Sequence, residues 1–136
     1  MNDLVLNIFI SIIVGVLAGI HSGIVVSRMA KFEEIRNQVK KIILGIDFIQ
    51  ESHEIKFFIK KDITELSALS SDLYAMKHPK SADSVARLFQ EINEYIHNYK
   101  SLNATETMNQ VYTQWQRECR QLRPNYRVIF SLRLWV

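Results

Sequence analysis

Residues 4–26 contain no Lys, Arg, Asp or Glu, and small residues recur through them every fourth position as Ser11, Gly15, Gly19, Gly23 and Ser27. At about 1.5 Å per helical residue, such a run is long enough to cross the roughly 30 Å hydrocarbon core of a bilayer. A four-residue step advances about 400° around a helix, so the small residues stay near one face and leave a shallow groove for a neighbouring backbone. The run reads as a transmembrane anchor over residues 1–27, with Ser11, Gly15, Gly19 and Gly23 as its oligomerisation face.

The flanks favour an anchor over a cleaved signal. A secretory signal carries basic residues ahead of a shorter apolar stretch and a small-residue cleavage site after it. Here Met1, Asn2 and Asp3 precede the run and Ser27, Arg28, Met29, Ala30, Lys31 follow it. Arg28, Lys31, Arg36, Lys40 and Lys41 all lie on the C-terminal flank, which by the positive-inside bias predicts an outward N-terminus and a cytoplasmic C-terminus at the inner or cytoplasmic membrane. A lone Cys119 suits a reducing compartment.

Residues 28–136, roughly 110 in number, suffice for one small cytosolic domain. Ile35, Val39, Ile42, Ile46 and Ile49 keep helical spacing beyond the apolar run, so the membrane helix is expected to continue into the cytoplasm. Gly45 and residues 50–53 mark a bend. From Ile55, Phe58, Ile59 and Ile63 to Met76 the spacing favours a second helix, the alternative being a short strand at Ile55, Phe57 and Ile59. His78, Pro79 and Lys80 interrupt it, and Ser81 is the expected N-cap of a helix carrying Val85, Leu88, Phe89, Ile92, Ile96 and Tyr99.

Asn103 and Glu106 suggest a further helix start, with Val111, Tyr112, Trp115, Cys119 and Leu122 as its apolar face until Pro124. Beyond it Tyr126, Val128, Phe130, Leu132 and Leu134 alternate with Arg127, Ile129, Ser131 and Arg133, which predicts a C-terminal strand. Such a strand must pair with the 55–60 region or another subunit, unless the tail is helical. The expected class is mainly α: one transmembrane helix continuing into a small helical domain.

Catalytic and metal chemistry find little footing. Glu94 and His97 have Glu-x-x-His spacing, but di-iron bundles need two such motifs and two more carboxylates. His53 beside Glu54 lacks the second His of a zinc-protease helix, and no glycine-rich phosphate loop follows the anchor. No catalytic residue, metal or cofactor is expected. The Asn103-Ala104-Thr105 sequon is inert under a cytoplasmic topology. Along the anchor, packing is the first reading of the glycine face, while Asn7 and Ser22 on nearly the same side leave a pore lining open and His21 is an ionisable group within the span.

The net charge of +3 conceals an asymmetry. Residues 117–136 hold five Arg against Glu118, a balance of +4, and the remainder of the chain stands at −1. Arg117, Arg120, Arg123 and Arg127, with Trp115 or Tyr126 to stack bases, form the expected site for a phosphate-rich ligand. A solvated face or attraction to anionic headgroups is the plainer alternative.

A short membrane helix with a small-residue zipper, followed by a compact domain with Arg and aromatic residues and no catalytic motif, resembles the small membrane effectors of bacterial antiviral systems. Among these the chain is similar to CRISPR-associated effectors that bind a cyclic oligoadenylate and then disrupt the membrane. The likeness is one of architecture over the whole chain and assigns no site residue. It implies a homo-oligomer such as a tetramer, because a cyclic ligand is naturally shared about a symmetry axis, with the bilayer and a cyclic oligonucleotide as partners and no long nucleic acid. The competing expectation is a non-enzymatic scaffold or assembly subunit of a larger membrane complex.

Overall fold

The computed structural model describes residues 2–51, 54–59, 61–98 and 108–132. The chain is mainly helical. Helix α1 (Asn2–Leu44) runs 43 residues, about 65 Å, without a break at residue 27. It is long and apolar enough to cross a membrane. Residues 3–20 are exposed all round, and His21, Ile24, Val25, Arg28 and Met29 are the first to be half covered. Beyond them one face is buried at Phe32, Ile35, Val39, Ile42 and Ile43, in the three- and four-residue steps of a helix against a core.

Gly45 ends α1, its N–H donating back to the Lys41 and Ile42 carbonyls. The chain then forms a hairpin of β1 (Ile46–Glu51) and β2 (Glu54–Ile59), antiparallel with Phe48 opposite Phe57. The helix favoured from residue 55 is thus corrected to a strand. Period two wins because Ile46 is buried and Phe48 and Phe57 pack against the core, while Asp47, Ile49, Lys56 and Phe58 face outward. The Asp62 carboxylate accepts the Thr64 N–H at 2.8 Å, an Asx turn that starts the helical stripe ten residues later than expected. That bond holds the Asp62 carboxyl below its ordinary pKa.

Helix α2 (Glu65–Ala75) buries Leu66, Leu69, Ser70 and Leu73. It closes in a Schellman arrangement: His78 N–H reaches Leu73 O at 2.8 Å, Lys77 N–H reaches Tyr74 O, and Lys77 itself takes φ 59°. Helix α3 (Pro79–Asn98) begins at the proline, whose missing N–H costs nothing in a first turn. Ser81 is therefore not the N-cap; its hydroxyl donates to Arg123 O at 2.6 Å. Ser70 Oγ donates to Ala82 O at 2.9 Å where α2 and α3 pack closely.

Helix α4 (Met108–Gln121) adds Met108, Val111, Trp115 and Cys119 to the core. The helix start expected at Asn103 and Glu106, the sequon and Tyr99 lie outside the described residues. The expected C-terminal strand is corrected as well: residues Tyr126–Ile129 form a one-turn helix, α5, with Ile129 buried. Tyr126 and Phe130, four residues apart, stack at 6.4 Å in helical rather than strand geometry. Arg133, Leu134, Trp135 and Val136 lie outside the described residues.

Candidate functional site

The segment that follows α4 returns across the start of α3 and along α1. Pro124 is buried, and Asn125 fastens the crossing by two contacts. Its backbone N–H donates to His78 Nδ1 at 2.9 Å, and its side-chain amide donates to Lys77 O at 3.2 Å. The His78 ring is 2% exposed and meets Phe32 of α1 edge-on, with centroids 5.0 Å apart. Because Nδ1 accepts, the neutral ring carries its proton on Nε2. Burial lowers the His78 pKa.

Between the first turn of α3 and residues 121–127 lies an open groove of about 760 Å³, lined by Lys80, Ser84, Arg123, Asn125, Tyr126 and Arg127 among others. Three basic side chains converge there with the start of a 20-residue helix. The start of a helix is the positive end of its dipole, although here Pro79 has no N–H and the Ala82 N–H already donates to His78 O. Tyr126 is 54% exposed at the rim, and its ring stacks on Phe130. Chemically the groove offers cations and an exposed aromatic ring, the complement of a phosphate-bearing base.

The expected arginine cluster divides in two. Arg123 and Arg127 line the groove. Helix α4 ends at Gln121, so Arg123 no longer shares a helical side with Arg117 and Arg120. Arg117 is exposed on α4. Arg120 donates to Gln116 Oε1 at 3.4 Å and lines a recess of about 20 Å³ with Lys40 and Cys119. Trp115 is corrected from ligand platform to core residue: it is 1% exposed, edge-on to Tyr95 and Tyr112. Cys119 is buried, and burial raises its thiol pKa against the opposing pull of Arg36, Lys40 and Arg120.

Lys80, Ser84 and Asn125 are groove residues that sequence spacing did not single out, because the groove joins positions some 40 apart. Arg28 is another. Its Nη1 donates to Val128 O and Ser131 O, both at 2.8 Å, and lies 3.3 Å from Ser131 Oγ. Together with Ile20, Gly23, Ile24, Ser27 and Lys31, Val128 lines a second cavity of about 470 Å³ along α1.

On the apolar part of α1, a Cβ added at Gly15, Gly19 or Gly23 would meet nothing within 4 Å. Ser11 satisfies its own hydroxyl on Asn7 O at 2.8 Å. The small-residue face is open at Gly15 and Gly19, and its C-terminal end at Gly23 and Ser27 borders the cavity that Val128 lines. His97, the other half of the Glu-x-x-His spacing, directs Nδ1 to Asn93 O at 2.8 Å on its own helix. Among the described residues no three of His, Cys, Asp and Glu gather as metal ligands.

Comparison with protein-family models, curated proteins and solved structures gives no match for this chain.

Proposed function

We propose that this chain is an oligomeric, membrane-anchored effector whose helical domain binds a phosphate-rich ligand, a cyclic oligonucleotide, and on binding perturbs the membrane in antiviral defence. The observation that carries the reading is the groove at the start of α3, which Lys80, Arg123 and Arg127 line together with Tyr126. In this reading residues 4–26 span the bilayer with the N-terminus outside, and copies associate through Ser11, Gly15, Gly19 and Gly23. Its chemistry is binding, not turnover.

The route from ligand to membrane is short. Tyr126 and Arg127 are wall residues of the groove, and the next residues, Val128 to Ser131, are held on α1 by Arg28. A ligand that shifts α5 therefore acts on the helix that leaves the membrane. The shift can be no larger than the ligand's preference for the altered state.

Titration calorimetry on the full chain in detergent, against cyclic and linear oligoadenylates, tests the proposal. Binding of a cyclic member tighter than about millimolar, which is about 4 kcal/mol, is expected, weakening with salt as phosphate contacts do. Arg123→Ala and Arg127→Ala should abolish it while Arg117→Ala leaves it intact. Failure of every member to bind returns the chain to the second reading, a scaffold subunit. That reading is favoured by one observation: Ile49 and Phe58 stand exposed on the outer face of the hairpin, where a partner protein can cover them.

A further inference from the structure

We infer that residues 126–132 are a second membrane contact, an interfacial anchor with Phe130 and Leu132 seated at the boundary between lipid headgroups and acyl chains. The inference rests on the reading of α1 as membrane-spanning and extends it to a part of the chain a hundred residues away.

Height along α1 comes first. The bonds from Arg28 to Val128 and Ser131 hold the segment against the helix, and Val128 faces Ile20, Gly23 and Ile24 across one cavity. The segment thus lies beside the last turns of the apolar run. Arg28 is only two residues, about 3 Å, beyond Val26. With α1 in a bilayer, the backbone of residues 128–131 is at the interface by construction.

Composition fits that height. Phe130 is 59% and Leu132 79% exposed, on either side of the Ser131 that Arg28 holds, and Tyr126 stacks on Phe130. Aromatic side chains gather at membrane interfaces, and apolar residues with basic neighbours are the make-up of interfacial segments. The basic neighbours are Arg28, Lys31 and Arg127, and no acidic residue occurs between Glu118 and the end of the chain. Cations at this level suit an anionic inner leaflet.

The bilayer is the occupant the geometry favours. The exposed aliphatic and phenyl side chains at the far end of α1 and on the hairpin, Leu44, Ile49, Phe58 and Ile59, begin at Leu44, about 24 Å farther along α1 than Arg28 and out of reach of lipid. A second copy is a poor fit, since one helical turn and three further residues fall well short of the roughly 800 Å² per partner of a stable interface.

Depth-dependent fluorescence quenching tests the inference on the full chain. A single thiol-reactive fluorophore is placed at Leu132→Cys, or separately at Phe130→Cys, in a Cys119→Ala background. The protein is reconstituted in phosphatidylcholine–phosphatidylglycerol vesicles with lipids carrying a nitroxide near the headgroup. Labels at 132 and 130 should lose most of their emission, a label at Asn109→Cys on α4 should keep it, and a label at Val14→Cys should respond instead to a nitroxide deep in the acyl chain. Labels at 130 and 132 that behave like 109 while 14 is quenched overturn the interfacial anchor and leave the spanning helix standing. An unquenched label at 14 overturns both. Loss of quenching at 132 with disulfide-linked Leu132→Cys dimers overturns it in favour of a second copy.

Discussion

The two halves of α1 differ in what surrounds them, although no residue between Gly23 and Gly45 interrupts the helix. From Asp3 to Ile20 every position is exposed, Leu, Ile, Val and Phe included. From Phe32 to Ile43 the same residue types occupy one face only and are almost wholly buried, with Glu33, Arg36 and Lys40 on the remaining faces. A helix that is apolar all round is built for an apolar solvent or a buried centre, and a helix with one apolar stripe is built for water on the other side. One continuous hydrogen-bonded rod therefore carries two kinds of surface, and the change falls at Arg28.

That contrast breaks most visibly on truncation. Ile42→Ala removes a buried side chain from the core and is expected to destabilise the domain by about 2–5 kcal/mol. Ile12→Ala, on the exposed half, should leave denaturant unfolding of the domain in detergent within about 0.5 kcal/mol of the parent. Equal losses would mean that both halves belong to one folding unit.

At the junction, Arg28→Met deletes the donor that serves the carbonyls of Val128 and Ser131. Hydrogen bonds from charged groups contribute about 1.5–3 kcal/mol. Hydrogen exchange should accelerate over residues 126–131 with the amides of α2 and α3 unchanged, so that local opening is separated from global unfolding.

His78 provides a smaller, pH-dependent effect. Burial sets its folded pKa below the ordinary 6.5, so on acidification the unfolded chain takes up the proton first. Stability present above about pH 6.5 is lost as pH falls from there toward the folded value, by at most about 1.4 kcal/mol per pH unit. Protonation also removes the acceptor that Nδ1 offers to Asn125 N–H. His78→Gln should flatten the dependence of melting temperature on pH between 7.5 and 5.5; an unchanged slope would assign it to other groups.

The smallest effect on the domain belongs to Gly19→Ile, where open space surrounds the added side chain. Unfolding of the monomer should not change, yet crosslinking in detergent should show the oligomer lost, because close backbone approach is what the glycine face provides. A variant with unchanged domain stability and an intact oligomer would move association to another surface.

How much of this was legible varied with the range of the interactions involved. Helices α3 and α4 could be read because Val85, Leu88 and Ile92, and Val111, Trp115 and Cys119, repeat every three or four residues and are buried. The hairpin could not, since Ile55, Phe58, Ile59 and Ile63 satisfy a helical spacing as well as Ile55, Phe57 and Ile59 satisfy a strand, and only packing on α4 decides. Phe48 meets Tyr112 edge-on at 5.7 Å, a contact between residues 64 apart. Alternation in the C-terminal tail misled for a similar reason: its carbonyls are taken by Arg28, a hundred residues upstream. Within the site, Arg123, Arg127 and Tyr126 were legible from charge and aromaticity, whereas Lys80 and Ser84 entered only because Ser81 binds Arg123 O.

The unbroken course of α1 through Arg28 also has a mechanical meaning. A helix with neither proline nor glycine between residues 24 and 44 is torsionally stiff and acts as a drive shaft. The azimuth of the glycine face is then locked to that of the groove at the start of α3, and turning the domain turns the face by nearly the same angle. In a ring of copies joined at their glycines, every groove would point in one fixed direction relative to the ring axis, and rotation of the domains in concert would be felt as torque on every contact of the ring.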